Sequence, residues 1–210
     1  MKIETIIFDL DGTISDPFEG ISKSVNFALE SLNYGAVDPE RIRPLIGPPL
    51  SDIFKILVGE ISSTAIDALV DKYRERYSAV GYTENVIYPE IPALISTLSN
   101  TGFRLGICTS KRGDYATAIV DMFGLLAHFE FVDGGAGVHK SLQIERLIVG
   151  GLDARTTIMI GDRHFDINAA KHNDMKSIGV TWGFAGDNEL QDAAPDHIVD
   201  SPEELLDLFQ

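Results

Sequence analysis

The chain has one cysteine and one tryptophan in 210 residues. A lone thiol, Cys108, excludes an internal disulfide framework. Basic residues are scarce: 17 Lys and Arg stand against 32 Asp and Glu, a formal charge of −15. Nucleic acids and anionic membrane surfaces are both held by clustered cations, so neither is an expected partner. Long apolar runs are missing too, and none approaches the roughly 20 residues of a membrane-spanning helix. The five histidines, including His128, His164 and His172, show no zinc spacing. The opening Met1-Lys2-Ile3-Glu4 has none of the character of a secretory leader. A cytoplasmic protein, monomer or homodimer, is expected.

What is present is a chain that is 44% hydrophobic, enough for a substantial core. Its organising stretch is Ile6-Ile7-Phe8-Asp9-Leu10-Asp11-Gly12-Thr13. The apolar run reads as a buried parallel strand, greasy on both faces. It stops at two carboxylates spaced i, i+2, and Gly12 supplies the freedom for a sharp turn. Open α/β sheets place their sites at the carboxyl ends of central strands. One acid there can bind metal or attack as a nucleophile, and the other can move protons.

Between residues 15 and 82 only helical periodicity is legible, with a helix start at Ser15-Asp16-Pro17 and a stiff connector, Arg43-Pro44-Leu45-Ile46-Gly47-Pro48-Pro49-Leu50. From Tyr88 onward helix and strand alternate. Strands are expected at 103–109, 129–132, 156–160, 177–181 and 197–199, with helices between them. Repeated αβ units predict a doubly wound parallel sheet. The expected division is an α/β core of residues 1–14 and 83–210, with 15–82 inserted as an all-helical segment.

In such a sheet the residues just past each strand share one edge. Four ends carry chemistry: Asp9 with Asp11; Thr109-Ser110-Lys111; Lys140; and Gly161-Asp162 with Asp166. Carboxylates crowded on one edge repel unless a cation sits among them, and hard oxygens suit Mg²⁺. A hydroxyl and lysines at the same edge suit the remaining oxygens of a phosphate. Cys108 lies inside an apolar strand and reads as packing; a cysteine phosphatase would place an arginine six positions on, where this chain has Asp114.

These four pieces, in this order, resemble the motifs of the haloacid dehalogenase superfamily. Asp9-Leu10-Asp11-Gly12-Thr13 is similar to its first motif, Thr109 to its second, Lys140 to its third, and Gly161-Asp162-Arg163-His164-Phe165-Asp166 to its fourth. The helical insertion resembles a subclass I cap. Ile46-Gly47-Pro48-Pro49-Leu50 and Gly179-Val180-Thr181-Trp182-Gly183 are similar to the phosphoglycolate phosphatase-like branch. Members often carry Lys-Pro at the third motif; here Ser141 follows Lys140, and Lys111 competes as the phosphate-binding lysine.

The resemblance implies a HAD-like Rossmannoid core and a Mg²⁺-dependent phosphatase working through an aspartyl-phosphate. Asp9 would be the nucleophile and Asp11 the general acid and base. Mg²⁺ would be held by Asp9, the main-chain carbonyl of Asp11, and Asp162, with Asp166 beside them. Thr109, Ser110 and Lys140 would bind the phosphoryl group. Arg43, beside the proline-rich connector, is the candidate for the rest of the substrate. That substrate is expected to be a small phosphorylated metabolite, phosphoglycolate-like or a nucleoside monophosphate. The alternatives are a phosphomutase of the β-phosphoglucomutase type and a pyrophosphatase.

Overall fold

Ile6, Ile7 and Phe8 are wholly excluded from solvent because β1 (Thr5–Phe8) runs through the middle of a six-stranded sheet. In chain order the other strands are β2 (Ser15–Asp16), β3 (Val86–Ile87), β4 (Arg104–Thr109), β5 (Phe131–Gly134), β6 (Thr157–Gly161), β7 (Lys176–Val180) and β8 (His197–Val199). The computed structural model describes residues 2–135 and 137–210. The large sheet has the order β5-β4-β1-β6-β7-β8, and each neighbouring pair is parallel. Phe8 is level with Ile107 of β4 and Ile160 of β6. The direction of winding reverses beside β1, the position at which doubly wound sheets open a crevice past their strand ends.

The chain forms two units, Met1–Asp16 with Ile87–Gln210, and Pro17–Val86. In the sheet-bearing unit, helices α4 (Ile91–Asn100), α5 (Gly113–Met122), α6 (Lys140–Val149), α7 (His164–His172), α8 (Glu189–Ala193) and α9 (Pro202–Asp207) follow the strands. Ile7, Cys108 and Met159 pack with Ile144 of α6 and Ala169 and Ala170 of α7 in one buried cluster. Parallel strands covered in this way read as continuous apolar runs, which is why their positions are legible in the sequence.

The other unit holds α1 (Phe18–Ser31), α2 (Leu50–Val58) and α3 (Ser63–Ala79), with 3₁₀ turns at Pro39–Arg41, Arg43–Leu45 and Gly81–Glu84. Tyr73 and Tyr77 of α3 stack, their ring centroids 5.2 Å apart. Arg76 grips Glu84 through two bonds of 2.9 Å, and Ser24 of α1 accepts a third from it at 3.1 Å.

The sequence predicts a helix start at Ser15-Asp16-Pro17 with its cap ahead of Pro17, and the structure moves that start one residue on, with Pro17 as the cap. Ser15 and Asp16 are extended, and α1 begins at Phe18. The Ser15 N–H donates to the Leu10 carbonyl and its own carbonyl accepts from Gly12. The turn after β1 thus consumes both main-chain groups before a helix can use them. Among the described residues no helix is long and apolar enough to cross a membrane.

Candidate active site

The site begins one residue past β1. The Asp9 N–H donates to the Ile160 carbonyl at 2.9 Å, extending the sheet and fixing that residue's main chain. Its Oδ1 accepts from the Leu10 N–H at 2.8 Å, and its Oδ2 lies 2.9 Å from Lys140 Nζ. The chain then folds back tightly, and the Thr13, Ile14 and Ser15 N–H groups all converge on the Leu10 carbonyl. Gly12 sits at φ +85°, a conformation glycine adopts without strain. This turn brings Asp11 to the same edge as Asp9, although alternation along a strand would separate them. Asp11 Oδ2 pairs with Lys111 Nζ at 2.8 Å. Its Oδ1 is buried and has no partner among the described residues.

Thr109 closes β4 and is buried. Its carbonyl accepts from Gly135 and from the Gln143 side chain, and its hydroxyl accepts from the Lys111 N–H at 3.3 Å. Ser110 follows and is exposed. Lys140 opens α6, and its buried ammonium reaches both Asp9 and Asp166.

Asp162, just past β6, is fully buried. Its Oδ1 accepts from the Thr13 hydroxyl at 3.2 Å and its Oδ2 from the Phe184 N–H at 2.8 Å. Asp166 stands in the first turn of α7, where Oδ2 accepts from the Arg163 N–H at 3.0 Å and the acid faces the favourable helix N-terminus. Glycines make the room. A Cβ at Gly12 or Gly183 would fall 2.2 or 2.3 Å from Asp162 Oδ2, and one at Gly161 would fall 2.2 Å from Asp166 Cγ.

Asp9, Asp162 and Asp166 each present an oxygen within 4.8 Å of the others. Burial pushes the Asp166 carboxyl up to about 6; Lys140 pulls it back, and the Asp9 charge raises it further. Burial also lifts Asp162 well above the usual carboxylate range, and Asp166 and Asp9 add to this. For Lys140, burial opposes the ammonium, but the Asp166 and Asp9 carboxylates outweigh it and raise its pKa. Asp11 is raised by burial in spite of Lys111. When ionised, the three carboxylates outnumber the one ammonium by two charges. Hard oxygen donors and that imbalance together fit a small divalent cation. The Asp11 side chain stays outside this group, because Lys111 holds it.

The sheet therefore gathers the four strand ends at one edge. Arg43 lies in the other unit, where Glu40 binds it at 2.9 Å and the Phe18 ring lies 3.7 Å beneath its guanidinium. Sequence reasoning did not find the supports: Thr13 and Phe184 on Asp162, Gln143 on Thr109, and Trp182, whose indole N–H donates to the Thr13 carbonyl at 3.1 Å. Thr13 and Trp182 stand in motifs the sequence displays, but their partners are 149 and 169 residues distant. Burial pushes the Cys108 thiol up to about 12, which keeps it protonated and inert, as packing requires.

Residues 6–180 match the family described as haloacid dehalogenase-like hydrolase. A 5'-nucleotidase of Pseudomonas aeruginosa is 39% identical over 94% of this chain and 91% of its own length. A phosphoglycolate phosphatase of Aquifex aeolicus is 27% identical over 99% of this chain and 97% of its own. A solved structure from Streptococcus pneumoniae, a haloacid dehalogenase-like family hydrolase, superposes with a TM-score of 0.92 at 31% identity over 99% of both chains. A parallel sheet wound in this order, with acids gathered beside its central strand, is a doubly wound α/β fold with its candidate site at the switch point. This chain belongs to the haloacid dehalogenase-like hydrolases.

Proposed function

We propose that this hydrolase is a Mg²⁺-dependent phosphatase of small phosphomonoesters, with nucleoside 5'-monophosphates first among the candidates. The family and the phosphatase names of its relatives support the reaction class, and the 39% identity to a 5'-nucleotidase supports the substrate. The observation that carries the reading is the pairing of each aspartate after β1 with its own lysine, beside two further buried acids.

In this reading Asp9 attacks phosphorus, the ester P–O bond breaks, and Asp11 gives its proton to the departing alkoxide. Asp11 then takes a proton from the attacking water, whose oxygen displaces Asp9 and frees inorganic phosphate. Lys140 orients Asp9 and meets the charge that builds on the phosphoryl oxygens, and the Thr109 hydroxyl and Ser110 N–H bind those oxygens. Asp9, Asp162 and Asp166, with the Asp11 carbonyl, would hold Mg²⁺, which supplies further positive charge against the phosphoryl group. Arg43 would read the part of the substrate beyond phosphate.

The test is phosphate release from a panel of nucleoside monophosphates, phosphoglycolate and p-nitrophenyl phosphate. Turnover should need Mg²⁺ and vanish in EDTA, and Asp9→Asn should lower kcat by at least 10³-fold, several kcal/mol of barrier. Asp9→Asn within about tenfold of wild type would remove the nucleophile and the reading with it. Phosphate appearing on a second sugar position, with little released free, would make the enzyme a mutase. Arg43→Ala should raise KM for the nucleotide more than for p-nitrophenyl phosphate; equal effects would take Arg43 out of the site.

A further inference from the structure

We propose that Lys111 is the positioning residue for proton transfer by Asp11, and that the two lysines of the site divide its two aspartates between them. This rests on the phosphatase reading above. Lys140 Nζ joins Asp9 and Asp166, whereas Lys111 Nζ lies 2.8 Å from Asp11 Oδ2. Both ammonium groups are deeply buried, their side chains each 7% exposed. A buried ion pair adds little to stability over an apolar pair of the same shape, so stability alone does not account for a second one.

The geometry gives this pair a function. Adjacent strand ends supply its members, Asp11 from the turn after β1 and Lys111 from the exit of β4. The Lys111 main chain is tied to that exit by its N–H bond to the Thr109 hydroxyl. One carboxylate oxygen of Asp11 is thereby committed to Lys111, while the other, Oδ1, is buried and without a partner among the described residues. A buried oxygen left unsatisfied is costly unless the site uses it. In its protonated form Asp11 can carry the proton on Oδ1, the oxygen available to a leaving group, while Lys111 holds Oδ2 and fixes the rotation of the carboxyl group.

A residue that positions the general acid matters in proportion to the leaving group's need for a proton. Phenyl phosphate and p-nitrophenyl phosphate share a shape and differ in that need, because nitrophenolate departs readily unprotonated. The quantity to compare is kcat/KM, which reports steps through cleavage of the ester bond and not the later hydrolysis. Lys111→Met should lower kcat/KM for phenyl phosphate about 10- to 100-fold more than for p-nitrophenyl phosphate, within the range of general-acid catalysis. In an Asp11→Asn background the same substitution should leave the ratio of the two substrates unmoved, since coupled residues are not additive.

Equal losses on both substrates, or a rise in KM alone, would overturn the proposal and make Lys111 a phosphate ligand. Should Lys111→Met fail to fold, Lys111→Arg carries the test: it keeps the charge but moves the donors, so the phenyl to nitrophenyl ratio must still fall. With wild-type turnover intact and Asp9→Asn inactive, an unmoved ratio defeats this proposal alone. Wild-type protein inactive on both esters defeats the phosphatase reading and this inference together.

Discussion

Asp162 has both carboxylate oxygens engaged, one by the Thr13 hydroxyl and one by the Phe184 N–H, with Gly12 and Gly183 pressed against them. A methyl group at Gly183 would meet the Asp162 carboxylate at 2.3 Å and the Gly12 carbonyl at 2.4 Å, so Asp162 or the β1 turn must give way. Gly183→Ala should therefore weaken Mg²⁺ binding about tenfold or more, measured by calorimetry on the folded protein, while Gly186→Ala, whose Cβ would meet only Glu189 Oε2 at an ordinary 3.7 Å, should leave binding unchanged. Unaltered binding in Gly183→Ala would show that Asp162 is not held where the metal needs it. Residues of this kind explain what the sequence conceals. Asp9, Asp11, Asp162 and Asp166 are legible because motifs at strand ends display them. Lys111 and Lys140 are both visible as candidates for one role, but their separate partners are not. Which lysine faces which aspartate depends on β4 lying beside β1, a tertiary fact with no local signature.

At the scale of elements, the strands of the large sheet fall within about two residues of their predicted positions, since apolar runs bounded by turn residues are strong signals. The strands at Ser15–Asp16 and Val86–Ile87 are the exceptions; two residues carry no period to detect. Packing between elements was also hidden. In the helical unit α1 lies so close to the 3₁₀ turn Gly81–Glu84 that a Cβ at Gly20 would stand 2.1 Å from the Gly81 carbonyl. Gly20 is inside a helix, where alanine is ordinarily the better residue by about 1 kcal/mol. Here the contact reverses that preference, and Gly20→Ala should destabilise the protein by about 1–3 kcal/mol, the usual cost of overpacking, in urea unfolding. A stabilised variant would mean the helix and turn separate without penalty.

For the whole molecule, the acids of the site couple stability to pH and to metal. Folding raises the Asp166 carboxyl to about 6 and Asp162 well above its ordinary value, so the folded metal-free protein binds protons more tightly than the unfolded chain. The stability this gives is complete below about pH 4 and is lost as pH rises through 6. In EDTA the Tm should therefore fall between pH 5 and 7.5. In the proposed reading Mg²⁺ would replace those protons, so its stabilisation should be larger at pH 7.5, about 2.7 kcal/mol at a hundredfold excess over its Kd. Calorimetric scans with equal Mg²⁺ shifts at both pH values would refute the coupling.

The sheet order also bears on how the chain is made. β1 pairs with β4, about 100 residues later, and with β6, about 150 residues later. A ribosome adding about 5–20 residues per second leaves the Thr5–Phe8 segment roughly 5–20 s without its first partner strand and longer without the second. Throughout that interval an apolar, β-branched strand has both hydrogen-bonding edges open, which invites pairing with another nascent chain. The position that lets β1 present its aspartates between two neighbours in the finished enzyme also leaves it waiting longest, of the strands in the large sheet, for its partners during synthesis.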